Sequence, residues 1–179
     1  AMWEILADDE LSHAFANFRI AAGDEDGSHE GPPFWDGDLY KWLEAAVAVH
    51  AQDPRPELRN LIDAVVDVIS RSQRDDGYLH TPVVIEDRLR GNASDELQDH
   101  LNFEMYNMGH LMTAACAHHR ATGKDSYLEI ATRVGDYLHD LFSPRPKELA
   151  HFGFNPSNIM GAVDLYRTTR DPKYLELAK

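Results

Sequence analysis

The stretch Ala115-Cys116-Ala117-His118-His119-Arg120-Ala121-Thr122-Gly123-Lys124-Asp125-Ser126-Tyr127-Leu128-Glu129-Ile130-Ala131 sets the architecture, because much of it recurs 47 residues later. Ala115, Arg120, Thr122, Tyr127, Leu128, Glu129 and Ala131 return as Ala162, Arg167, Thr169, Tyr174, Leu175, Glu176 and Ala178. Each match lies at the end of one helical run, across a tight turn, or in the run that follows, so the repeated unit is a helical hairpin. One hairpin cannot bury its inner face alone. Stacked hairpins bury a continuous one, which gives either a solenoid or a closed α/α toroid. The expected fold class is all-α, built from antiparallel helical hairpins.

On either side of this hairpin, apolar residues at three- and four-residue spacing predict further helices, and no stretch alternates as a strand does. A first helix carries Leu11, Phe15, Phe18 and Ile20 and ends at Gly23; an acidic, Gly- and Pro-rich loop follows to Pro33. A second runs from about Asp38 to Gln52, with Leu39, Trp42, Leu43, Ala46, Val47 and His50 as its apolar stripe, and Asp53-Pro54-Arg55-Pro56 breaks it. A third runs from about Pro56 to Gln73. Asp75 to Pro82 reads as a loop and Glu86 to Asp99 as irregular. Helices over Phe103–Thr122 and Asp125–Phe142 form the first copy of the repeat. A sixth from about Pro156 to Thr169 and a seventh after Asp171-Pro172 form the second. One domain spans residues 1–179. The run from Tyr174 to Lys179 has no Gly or Asn stop, so the chain reads as part of a longer protein.

The 31 acidic residues against 17 basic ones give a formal net charge of −14. Such a surface repels phosphate backbones and anionic lipid, so neither nucleic acid nor membrane is an expected partner. No apolar run has the length of a membrane span and no signal peptide is visible; the compartment stays open. The single cysteine, Cys116, reads as a small core residue and precludes a disulfide framework or a Cys-rich metal site built by this chain alone. No metal ligands and no cofactor are expected within the chain.

In stacked hairpins alternate helices run the same way, so those starting near Asp38, Phe103 and Pro156 begin at a common end. Just before them stand Pro33-Phe34-Trp35-Asp36-Gly37-Asp38, the segment from His100 to Tyr106, and His151-Phe152-Gly153-Phe154-Asn155. The loop with Tyr78 and His80 returns to that end as well. Aromatic faces stack on the C–H face of a sugar ring, while carboxylates, Asn and His hold its hydroxyls by directional hydrogen bonds. The candidate substrate-binding residues are Trp35, Asp36, Asp38, Tyr78, His80, Glu104, Tyr106, His110 and Asn155. Structural alternatives stand beside them. Asp38 equally fits a helix N-cap, Trp35 a seal over the core, and Glu104 with Tyr106 a satisfied polar cluster. His118-His119 reads as a solvated pair.

Phe34 through Ala45, Asp76-Gly77-Tyr78-Leu79, Glu104 through Leu111, and Ala114 through Ala131 with its Ala-Thr-Gly-Lys turn resemble glycoside hydrolase family 127, typified by β-L-arabinofuranosidases. The likeness runs in order over nearly the whole chain. It implies an (α/α)6 barrel followed by β-sandwich domains, with this chain as the N-terminal half of the barrel. It also implies cleavage of terminal sugars of plant or microbial glycans with retention, by a zinc-held cysteine thiolate and a glutamate acid/base. Nothing here matches those groups, so the resemblance puts the catalytic residues beyond this chain. Zinc then belongs to the full-length parent, and the chain supplies part of the substrate pocket. Trp35, Asp36, Glu104, Tyr106 and His110 match the family pattern. Phe103 and Asn155 depart from it, standing where sugar-contacting histidines are usual, which shifts preference among sugars because buried polar groups must be paired.

Two other readings remain. One is a different α/α-toroid sugar enzyme, an unsaturated glucuronyl hydrolase or a sugar 2-epimerase, with Asp36, Asp38 and His151 as its candidates. The other is a non-catalytic carbohydrate-binding half-toroid. An open half-ring exposes apolar flanks, so a missing barrel half or a homo-oligomeric copy is the expected partner besides carbohydrate.

Overall fold

The computed structural model describes residues 2–91, 95–150 and 152–179; the candidate His151 lies outside them. Among the described residues there are nine α-helices and no strand: α1 (Met2–Leu6), α2 (Ala14–Ala22), α3 (Trp35–Gln52), α4 (Pro56–Ser72), α5 (Thr81–Arg90), α6 (Glu104–Thr122), α7 (Ser126–Phe142), α8 (Ser157–Thr169) and α9 (Pro172–Leu177). Helices α3, α6 and α8 lie side by side with α6 in the middle; α4, α7 and α9 return behind them, and α2 packs on α3, α4 and α5. The outer helices are one-sided: α4 buries Ile62, Val65, Val66 and Ile69, and α7 buries Tyr127, Ile130, Ala131, Val134 and Leu138. Helix α6, wedged between neighbours, is buried almost all round, from Met105 and Met108 to Ala115 and Cys116.

The repeat holds down to single atoms. Thr122 and Thr169, the last residues of α6 and α8, each donate a hydroxyl to the carbonyl four residues back, at 2.7 and 2.8 Å. Each also accepts from the backbone N–H two residues on, at 3.2 Å. Each helix then ends on a left-handed residue, Gly123 or Arg170. Tyr127 and Tyr174 follow as buried anchors of the returning helices.

Helices α6 and α8 approach almost backbone to backbone. A Cβ on Gly109 would come within 3.0 Å of backbone atoms of Ser157 and Asn158, and one on Gly161 within 3.0 Å of the Gly109 carbonyl oxygen. The bare helix faces let the first turn of α8 sit directly against α6, which brings Phe154 and Asn155 to the same end.

Three expectations about helix placement change. Helix α3 starts at Trp35, three residues early, so Asp38 is not an N-cap but lies within the first turn. Helix α2 begins only at Ala14 and leaves Leu11 63% exposed, outside the apolar stripe. Helix α5 occupies part of the segment read as loop and irregular chain. Pro82 looked like a stop, but it stands in the first turn, where its missing N–H would have no helical partner in any case. Val83, Val84 and Ile85 then bury that helix against the core.

His118 is not half of a solvated pair. It is 1% exposed and neither ring nitrogen has a partner among the described residues, whereas His119 is partly exposed and meets Asp125 at 2.9 Å. Burial lowers the His118 pKa; Asp63 opposes the shift and Lys124 adds to it. A folded value below the unfolded one means the unfolded chain takes up the proton first, so stability is lost as pH falls below about 6.5. His118→Leu should shrink that loss, read as the difference in urea-unfolding free energy between about pH 7.5 and about pH 5.5. An equal loss in variant and wild type would assign the acid sensitivity to other groups.

Candidate functional site

The N-terminal ends of α3, α6 and α8, with the turn before α5, meet in one place. Beneath the surface there, Asp36, Tyr78, His80, Glu104 and Asn107 form a polar knot, each at most 1% exposed. Asp36 ties α3 to α5: its carboxylate accepts from the Thr81 backbone N–H at 2.7 Å and from the Thr81 hydroxyl at 2.6 Å. A negative charge at that helix start also complements the helix dipole. Asn107 ties α6 to α3. Its Oδ1 accepts from the Gly37 N–H at 2.9 Å, and its Nδ2 donates to the Pro33 carbonyl at 2.8 Å. With the amide so oriented, the remaining Nδ2 hydrogen points to His80 Nδ1 at 3.2 Å. The same nitrogen stands 3.5 Å from an Asp36 carboxylate oxygen, and His80 Nε2 has no partner among the described residues.

Glu104 accepts the Tyr78 hydroxyl at 2.7 Å and the Leu97 N–H at 2.7 Å. Burial raises its pKa, opposed by the Tyr78 hydrogen bond, the His80 charge and the Leu97 N–H. The Tyr78 hydroxyl is itself pushed well up by burial and the neighbouring carboxylate, so it stays a donor. Glu104 thus pairs with Tyr78 and not with Tyr106.

Above the knot lies a half-exposed rim. Lys41 bridges Asp38 at 2.8 Å and the Tyr106 hydroxyl at 2.8 Å. His110 sits edge-on to Tyr106, ring centroids 4.5 Å apart, and burial lowers its pKa, leaving a neutral imidazole that both donates and accepts. Phe103 holds a left-handed backbone (φ 63°), and its ring meets Phe34, Tyr106 and Phe154 at 5.0 to 5.6 Å. Asn155 Oδ1 accepts from the Ser157 N–H at 3.0 Å at the start of α8, and its amide NH2 has no hydrogen bond among the described residues. Trp35 lies over Gly31, whose φ of +90° and missing Cβ admit the ring.

All nine candidates therefore gather at one end, in two tiers: Asp36, Tyr78, His80 and Glu104 in the knot, and Trp35, Asp38, Tyr106, His110 and Asn155 on the rim. The sequence reading missed Asn107, Thr81 and Lys41. Asn107 carried one signal, an amide inside the body of an otherwise apolar helix. Among the described residues no group of three His, Cys, Asp or Glu side chains could hold a metal ion. Cys116 is buried in the body of α6, and burial pushes its thiol up to about 11, away from thiolate chemistry.

The sequence profile of the β-L-arabinofuranosidase GH127 catalytic domain matches residues 1–179. The chain belongs to glycoside hydrolase family 127. Among its family relatives, a non-reducing end β-L-arabinofuranosidase of Bifidobacterium longum subsp. longum is 38% identical over 171 residues, which is 96% of this chain and 26% of that protein. The crystal structure of a family 127 β-L-arabinofuranosidase from Geobacillus stearothermophilus T6 superposes with a TM-score of 0.88 at 36% identity, covering 98% of this chain and 28% of that one. A further family 127 β-arabinofuranosidase structure matches at a TM-score of 0.77 and 29% identity, over 99% of this chain and 29% of that one. The paired helices are thus part of the (α/α)6 toroid of family 127, and the chain spans about a quarter of the length of these relatives. No helix among the described residues is long and apolar enough to cross a membrane.

Proposed function

We propose that the protein carrying this chain is a glycoside hydrolase that releases terminal β-L-arabinofuranosyl residues from plant or microbial glycans, and that this chain supplies part of its substrate pocket. The observation that supports this most is the single end at which α3, α6 and α8 start, in a chain that matches the family's catalytic domain throughout. The rim makes the sugar contacts: Trp35 stacks on a C–H face, and Asp38, Tyr106, His110 and the free amide of Asn155 bind hydroxyls. The knot of Asp36, Tyr78, His80 and Glu104 holds those helix starts in register. Zinc, the metal that the resemblance implies, does not fit the residues here, since the only cysteine is a buried core thiol. Its ligands, the nucleophile and the acid/base are supplied from outside these 179 residues. Ile159 and Met160, about half exposed on α8, mark the flank that further barrel helices or a second copy would cover.

The full-length protein should hydrolyse an aryl β-L-arabinofuranoside, and the 179-residue chain alone should not. A full-length protein that leaves this glycoside intact and turns over an unsaturated glucuronide contradicts the proposal, as does turnover by the isolated chain.

A further inference from the structure

At the other end of α6 and α8, a cleft of about 630 Å³ opens between the last turns of the two helices. At 1.5 Å of rise per residue it lies roughly 24 Å along α6 from the rim. His119, Arg120, Asp164, Arg167, Thr168 and Arg170 line it. Three guanidiniums thus meet in one concavity of a chain whose 31 acidic residues outnumber its 17 basic ones. Elsewhere Arg19, Arg55, Arg71, Arg74 and Arg90 each bridge a carboxylate. The side chains of Arg167 and Arg170 have no partner among the described residues, and Arg120 donates only to the Thr168 hydroxyl, at 3.3 Å. Asp164 lines the same cleft and forms no ion pair with any of the three. Cations at helix C-termini also complement the helix dipole, which accounts for Arg120 and Arg167 taken singly. Arg170 needs more. It holds left-handed backbone at φ 64°, at the position where the first copy of the repeat has Gly123. Glycine adopts that backbone freely; arginine keeps its side chain there at a conformational cost.

We propose that this cleft binds an anionic sugar, a hydroxylated ring bearing a carboxylate or a phosphate. Guanidinium forks pair either oxyanion through two parallel N–H bonds. The cleft has far more room than a bare oxyanion fills and lies in the size range of small-ligand pockets. Asp164 and Thr168 suit the ring's hydroxyls: both accept hydroxyl protons and Thr168 can donate one, whereas Asp164 would repel an anion that brings no hydroxyl to it. Occupancy of this cleft does not depend on which glycoside the rim holds.

The test is titration calorimetry on the full-length protein at low salt, with galacturonate, galactose 6-phosphate, galactose, inorganic phosphate and a tetraglutamate peptide. At least one of the anionic sugars should bind about tenfold tighter than galactose, and the tighter of them identifies the anion. Arg167→Gln and Arg170→Gln, both at exposed positions, should each weaken that sugar about tenfold. Salt at about 0.5 M should weaken it as well. Inorganic phosphate and the peptide, which lack the ring hydroxyls, should bind less tightly than the sugar. Equal affinity for galactose and both anionic sugars would overturn the proposal. So would an anionic preference that neither variant alters, or phosphate or peptide binding as tight as that of the anionic sugar.

Discussion

Replacing Asn107 with leucine is expected to lower the unfolding free energy by about 4 kcal/mol. Leucine has the same branching and a larger volume, so no cavity forms and the effect comes mainly from lost hydrogen bonding. Three partners are left behind at once: the Gly37 N–H and His80 Nδ1, both buried, and the half-buried Pro33 carbonyl. Each stranded group costs about 1–3 kcal/mol, against about 1 kcal/mol for an ordinary hydrogen bond lost at the surface. The start of α3 is then no longer pinned to α6, so Trp35, Asp36 and Asp38 should lose their fixed placement. Urea unfolding of wild type and Asn107→Leu measures the difference. A loss under about 1 kcal/mol would mean that the knot is not what joins these helices.

Gly109→Ala carries the second large effect, and two terms compete in it. Alanine favours a helix interior over glycine by about 1 kcal/mol. Its Cβ would, however, fall within 3.0 Å of backbone atoms of Ser157 and Asn158, which cannot rotate away as a side chain can. Overpacking of this kind costs about 1–3 kcal/mol or more, and a backbone obstacle puts it at the upper end, so a net loss of about 2 kcal/mol is expected. Because α8 must shift, Asn155 and Phe154 move with it, and sugar affinity in the full-length protein should fall as well. Gly161→Ala strains the same contact, so the double variant should lose less than the sum of the two. An unchanged or raised melting temperature in Gly109→Ala would contradict the close approach of these helices.

The helices that carry the repeat were legible because periodicity and a recurring turn are one-dimensional signals, and the common end followed from the alternation of helix direction. Helix α5 was not legible, since Pro82 reads as a stop until its place in the first turn is known. His118 was misjudged because its neighbour His119 is partly exposed and adjacency says nothing about which face of a helix is buried. The two tiers of the site were hidden for a related reason. Successive residues of a first turn point in different directions, so Trp35 and Asp36, side by side in sequence, end on the rim and in the knot. Asn107 makes its bonds to residues 70 and 74 positions away, a pairing that no local spacing announces.

The most direct measurement is a crystal structure of the full-length protein with L-arabinose bound. The sugar is expected within about 4 Å of Trp35, Tyr106 or His110, at the shared start of α3 and α6. A sugar seated at the far end of the helices, beside Arg120 and Arg167, or one that touches no residue of this chain, would contradict the assignment of this rim to the pocket.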